Sequence, residues 1–169
     1  MARKQPDARA LKDSPRIFTM PRAANFSDFG METRPQHGSS VGVIADTAAD
    51  VVRVLEEGLS FEAIEKLRDA LGITNEQVAE LTRIPIRTFA RRKQEGKFDL
   101  DESERVLRLA TVYERALSLF ESDRDAARRW LQTPRVAFGR KSVLEFAETE
   151  VGAREVDDLI ERIEYGVIS

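Results

Sequence analysis

No cysteine occurs among the 169 residues. Disulfides, thiolate nucleophiles and cysteine-built zinc sites are therefore excluded, and the composition suits a reducing compartment. Histidine occurs once, at His37, in the stretch QHGSS. Cysteine–histidine and multi-histidine sites are excluded with it, and the lone histidine reads as an exposed loop residue. No apolar run approaches the ~18 residues of a membrane span. The first residues are basic without an apolar core behind them, so no secretory leader is expected and a cytoplasmic location is. A catalyst would be left with carboxylates, Lys, Arg and Tyr. The pairs Asp157/Asp158 and Glu161/Glu164 fall on what the pattern makes an open helix face, with no phosphate loop or metal-ligand cluster near them. General acid–base work needs carboxyls in a cleft with separated pKa values. No enzyme activity, catalytic residue, metal, cofactor or small-molecule substrate is expected.

What is present is charge, unevenly spread. Charged residues make up 34% of the chain and the net charge is −3. From Met1 to Ser40 there are seven Lys/Arg against four Asp/Glu. That stretch also holds Pro6, Pro15, Pro21 and Pro35 without a sustained period, so residues 1–45 read as a flexible basic arm. Phe18, Met20, Phe26, Phe29 and Met31 give it some apolar character.

From Asp46 the apolar period is helical. Val51, Val52 and Leu55 mark one helix ending at Gly58. Phe61, Ile64, Leu67 and Leu71 mark a second, capped by Ser60 and closed by Gly72. Thr74 and Gln77 fit a capping box for a third. Pro85 opens a fourth, where a missing N–H costs least, and Gly96 ends it. Asp101 and Glu104 suit the start of a long fifth helix to about Phe120, with a wide apolar stripe. Ser122 suits the start of a sixth, through Trp130 and Leu131 to Thr133-Pro134. Ser142 and Glu145 form another capping box, for a helix from Val143 to about Thr149. Gly152 is expected to separate that helix from the last one. No strand is evident, and the class is all-α. The expected division is an arm at 1–45, a first helical domain at 46–121 and a second at 122–169.

Residues 73–93, ITNEQVAELTRIPIRTFARRK, fit a helix-turn-helix. Ala79 is the small residue where two helices cross, and Val78, Ile84 and Phe89 supply the inner face. Arg83 to Lys97 holds six basic residues and one acidic one. The candidate DNA contacts are Arg83, Arg87, Thr88, Arg91, Arg92, Lys93 and Lys97. Arg pairs bidentately with guanine, and Lys and Thr hold phosphates. Arg83 stands at a turn position that favours glycine, so a positive φ there carries strain. Paired half-sites on DNA call for a two-fold dimer.

Beyond the long helix the balance reverses. Leu144 to Glu164 holds eight acidic residues and two basic ones. The stretch ends in Tyr165, Gly166, Val167 and Ile168, an apolar tail where a polar one is usual.

Over residues 46–169 the sequence resembles the Xre/MbcA/ParS-type antitoxins of RES–Xre toxin–antitoxin systems. The resemblance rests on the helix-turn-helix stretch; on Trp130, Leu131 and Pro134; on Thr149, Gly152 and Val156; and on Arg162, Ile163, Glu164 and Gly166. The chain departs from the family pattern at Arg140 and Val143, where a glycine and a proline are usual. The resemblance implies a dimer whose N-terminal half binds operator DNA and represses its own operon. It implies a small helical C-terminal domain that binds a RES-domain toxin, an NAD-consuming or ADP-ribosyltransferase-like protein. The candidate toxin-binding residues are Glu155, Asp158, Arg162, Glu164, Tyr165, Gly166, Val167 and Ile168, with the tail inserting into the toxin's active site. Two other readings start from the same residues: a stand-alone helix-turn-helix regulator without a toxin, and an adaptor whose DNA face has decayed.

Overall fold

The computed structural model describes residues 38–166. Eight α-helices and no strand are present among them. The longest, α5 (Leu100–Leu119), is the axis on which the others are arranged. It starts at Asp99, whose carboxylate accepts from the Glu102 N–H while the Glu102 side chain returns to the Asp99 N–H. The box is thus Asp99/Glu102, two residues ahead of the Asp101/Glu104 start that the sequence suggests. Val106, Leu109, Ala110, Tyr113 and Ala116 of α5 are buried.

Four elements ahead of α5 build the first half. They are α1 (Ala48–Glu57), α2 (Phe61–Leu71), α3 (Asn75–Leu81) and α4 (Ile86–Glu95). Ser60 precedes α2 but makes no side-chain cap bond. After α5 come α6 (Arg124–Gln132), α7 (Val143–Phe146) and α8 (Glu150–Glu164). The α5–α6 connection is tight, with Glu121 and Ser122 both at positive φ. Asp123, not Ser122, then caps α6 by accepting from the Asp125 and Ala126 N–H groups.

Both α1 and α2 pack on α5, and so do α6 and α8. One apolar cluster runs from Val41 to Ile160 without a gap at residue 121. The two halves expected from the sequence therefore share a helix and a core.

Residues 38–45 are the main departure from the expected arm. Gly38 N–H and Ser40 N–H donate to the Glu114 carboxylate at 2.9 and 2.6 Å, and Ser39 Oγ adds a third bond. Val41, Val43 and Ala45 are buried in the core. Glu114 is a buried carboxylate on α5 whose partners are these donors, which is what makes its burial tolerable. The arm proper, residues 1–37, lies outside the described residues, His37 included.

Gly152 does not separate two helices. It lies in the first turn of α8, where Thr149 Oγ1 accepts its N–H. It is buried, and a Cβ there would run into the Phe146 carbonyl of α7. The Thr-x-x-Gly spacing thus combines an N-cap with a close helix approach, and α7 ends at Phe146 instead of Thr149.

Candidate functional site

Helix α3 begins with the reciprocal Thr74/Gln77 box and ends at Thr82, whose hydroxyl donates to the Val78 carbonyl at 2.7 Å. The chain then turns through Arg83 at φ 53. The Ile84 N–H donates to the Ala79 carbonyl at 2.9 Å, closing the turn over the small residue. Val78, Ala79, Leu81, Ile84 and Phe89 are buried. Phe89 meets Phe61 edge-on at 5.1 Å and Phe98 at 6.4 Å. A left-handed arginine costs roughly 1–2 kcal/mol. The side chain offsets part of that by bonding Glu148, with Nη2 at 3.1 Å and Nε at 3.3 Å from Oε2. Glu148 directly precedes the cap of α8, so the turn is fastened to the second half.

The seven residues proposed for DNA contact separate into groups. Arg87 and Arg91 are exposed one turn apart on the outer face of α4. Arg91 leans towards Glu95 at 3.7 Å. Lys93 is exposed with its ammonium 5.9 Å from the Phe61 ring, Lys97 is exposed beyond the helix end, and Thr88 is half-buried. Arg92 is placed differently from the others. It turns inward, 16% exposed, and donates to Glu95, Asp99 and Glu102 at 2.6–2.8 Å. The Glu102 and Glu95 carboxylates hold its pKa above the ordinary arginine range. Arg92 ties α4 to the start of α5 with three of its five N–H donors. Arg83 is exposed and pairs with Glu148 through Nε and one Nη2 N–H. Ile86, by contrast, is 55% exposed at the first turn of α4. It is absent from the sequence-derived set, although Ile84 and Phe89 already fill the inner face and leave it nowhere to go. An apolar side chain there suits a thymine methyl.

Helix α8 also splits its charges. Val156 and Ile160 face the core. Asp157, Glu161 and Glu164 lie along one edge and converge on Arg115 of α5 at 2.6, 3.8 and 3.6 Å. Glu164 is exposed and also lies within ion-pair reach of Arg115. Glu155, Asp158, Arg162 and Tyr165 are exposed and line one shallow concavity together with Glu161. Tyr165 is 80% exposed. Gly166 ends the helix at φ 67, and Val167 and Ile168 lie outside the described residues. Trp130 is a packing residue, half-buried between Phe120 at 6.2 Å and the Arg135 guanidinium at 5.0 Å. Among the described residues no group of His, Asp and Glu has the spacing to hold a metal ion.

Two family models match this chain. The Antitoxin Xre-like helix-turn-helix domain matches residues 50–111, and the Antitoxin Xre/MbcA/ParS C-terminal toxin-binding domain matches residues 115–166. A protein of Yersinia enterocolitica named Antitoxin Xre is 35% identical over 130 residues, which is 76% of this chain and 88% of the relative. An Antitoxin Xre of Photorhabdus laumondii is 32% identical over 131 residues, 77% of this chain and 88% of the relative.

Proposed function

The chain belongs to the Xre antitoxin family, with a helix-turn-helix followed by a C-terminal toxin-binding domain, and from that premise we propose that it neutralises a RES-domain toxin and represses its own operon. It acts in the cytoplasm as the protein half of a type II system, without catalysis of its own. The toxin consumes NAD or transfers from it. The C-terminal region covers the toxin's active site, and a homodimer presents two α4 helices to an operator.

The observation that carries this reading is the outer face of α8. Glu155, Asp158, Arg162 and Tyr165 stand side by side, exposed, and directly ahead of the tail. An anionic face suits a toxin pocket that must be cationic to hold a dinucleotide pyrophosphate. The tail adds apolar area where Gly166 lets the backbone approach closely. On the DNA side, Arg87 and Arg91 carry the reading, with Ile86 between them and the turn.

The test is co-expression with the toxin of a neighbouring reading frame, using the full chain and a chain stopped after Glu164. Cellular NAD and growth are the readouts. Protection by the full chain alone makes the tail the inhibitory plug. Equal protection by both transfers inhibition to the α8 face. Protection by neither removes the toxin pairing and leaves a stand-alone regulator.

A further inference from the structure

The connection between α6 and α7 takes no part in the function proposed so far. From Ala126 to Leu144 the chain has five basic residues and no acidic one, in a protein of net charge −3. Residues 135–141 close on themselves. The Arg135 N–H donates to the Lys141 carbonyl and the Arg140 N–H to the Arg135 carbonyl, both at 2.9 Å. Phe138 pins the loop from beneath, buried and stacked on Phe146 at 4.5 Å. What remains outside is a rigid knob. Val136 stands 87% exposed at its tip. Arg140 and Lys141 are exposed beside it, and Arg135 is laid over the Trp130 ring. None of these three cations forms an ion pair among the described residues. The neighbouring Glu145 carboxylate is taken up by the Ser142 N–H at 2.6 Å.

Two features of the knob are costs without an internal return. Arg140 sits at φ 68, where a glycine would be unstrained. Arg135 Nε is buried with no hydrogen-bond partner. Strain and unmet donors of this kind concentrate at binding surfaces. We propose that the knob is a second contact with the toxin, docking Val136 into an apolar recess ringed by carboxylates. The proposal rests on the antitoxin reading, and the knob lies inside the matched toxin-binding stretch, residues 115–166. A protein is favoured over nucleic acid because a duplex backbone supplies anions but no recess for a valine standing among the cations. The knob is cationic and the outer face of α8 anionic, so the partner is gripped by two patches of opposite sign. Reversing its orientation would set like charges together, which fixes the docking pose.

The experiment uses the full chain, the co-expressed toxin of the neighbouring reading frame and a DNA duplex of random sequence. The variants are Arg140→Gly, Val136→Asp and the double reversal Arg140→Glu with Lys141→Glu. Arg140→Gly relieves the left-handed strain, so its melting temperature stays level or rises while toxin affinity falls about tenfold. Val136→Asp and the double reversal weaken toxin binding by about a hundredfold at low salt. Duplex binding is unchanged in all three. Lost duplex binding with intact toxin binding makes the knob a nucleic-acid surface and overturns the proposal. So does wild-type affinity for both probes in every variant. A wild-type chain that binds no toxin at all sinks the antitoxin pairing and the knob with it, an outcome distinct from variants that bind as well as wild type.

Discussion

Helix α4 is basic and helix α8 is acidic, yet each divides its charge between an inner and an outer face. In α4, Arg92 is gathered in by three carboxylates while Arg87 and Arg91 face solvent. In α8, Asp157, Glu161 and Glu164 converge on Arg115 while Glu155 and Asp158 face solvent. A charge run in sequence is thus two populations. One fastens the helix to α5, and the other is free to meet a partner. Charge density alone does not tell them apart, because the partners of the inner set lie elsewhere in the chain.

The comparison can be broken hardest from the inner side. Gly152→Ala on the buried edge of α8 forces a methyl against the Phe146 carbonyl. The expected loss is about 3 kcal/mol or more, read by urea denaturation. Arg92→Ala leaves the buried Glu102 carboxylate without its cation and should cost about 2–3 kcal/mol. Arg115→Ala removes the ion pairs between α5 and α8, leaving their apolar packing, at a cost of about 1 kcal/mol, because its carboxylate partners are largely solvated. The outer side should behave in the opposite way. Arg87→Ala should leave stability within about 0.5 kcal/mol and lower operator affinity about tenfold to a hundredfold. If Arg87→Ala and Arg92→Ala had equal effects on stability, the division into faces would be wrong.

The smallest effect concerns protons. The Ser142 N–H, and after it the Ser142 hydroxyl, hold the Glu145 carboxyl below the ordinary glutamate range. A depressed carboxylate contributes stability that is present above its unfolded pKa and lost as pH falls through the folded one. Glu145→Gln keeps an acceptor for Ser142 but does not titrate. Its melting temperature should fall slightly less than that of wild type below about pH 4.

Local chemistry was legible in the sequence. The Thr74/Gln77 and Ser142/Glu145 boxes each need only residues three apart, and the positive φ at Arg83 follows from its turn position. The all-α class followed from periodicity. What was not legible depended on distant partners. Nothing in VGVIA announces that Val41, Val43 and Ala45 enter a core, because their anchor is Glu114, more than seventy residues on. Gly152 reads as a breaker because a glycine that ends a helix and one that admits a neighbouring backbone look alike in a string. Asp99 and Asp101 are both plausible caps two residues apart, and only the reciprocal bond with Glu102 decides between them. At the site, the ion pairs that turn Arg92 inward while Arg87 and Arg91 stay exposed involve Asp99 and Glu102, seven and ten residues on, and the run of arginines does not show them.

Helix α5 is shared, and that sets how the protein fails. Its buried face is covered by α1 and α2 from one half and by α6 and α8 from the other. Melting either half uncovers apolar surface of α5 on which the other half packs. The described residues are therefore expected to unfold as one unit, in a single melting transition. A cut within α5 is expected to disable the helix-turn-helix and the toxin-binding domain in the same event.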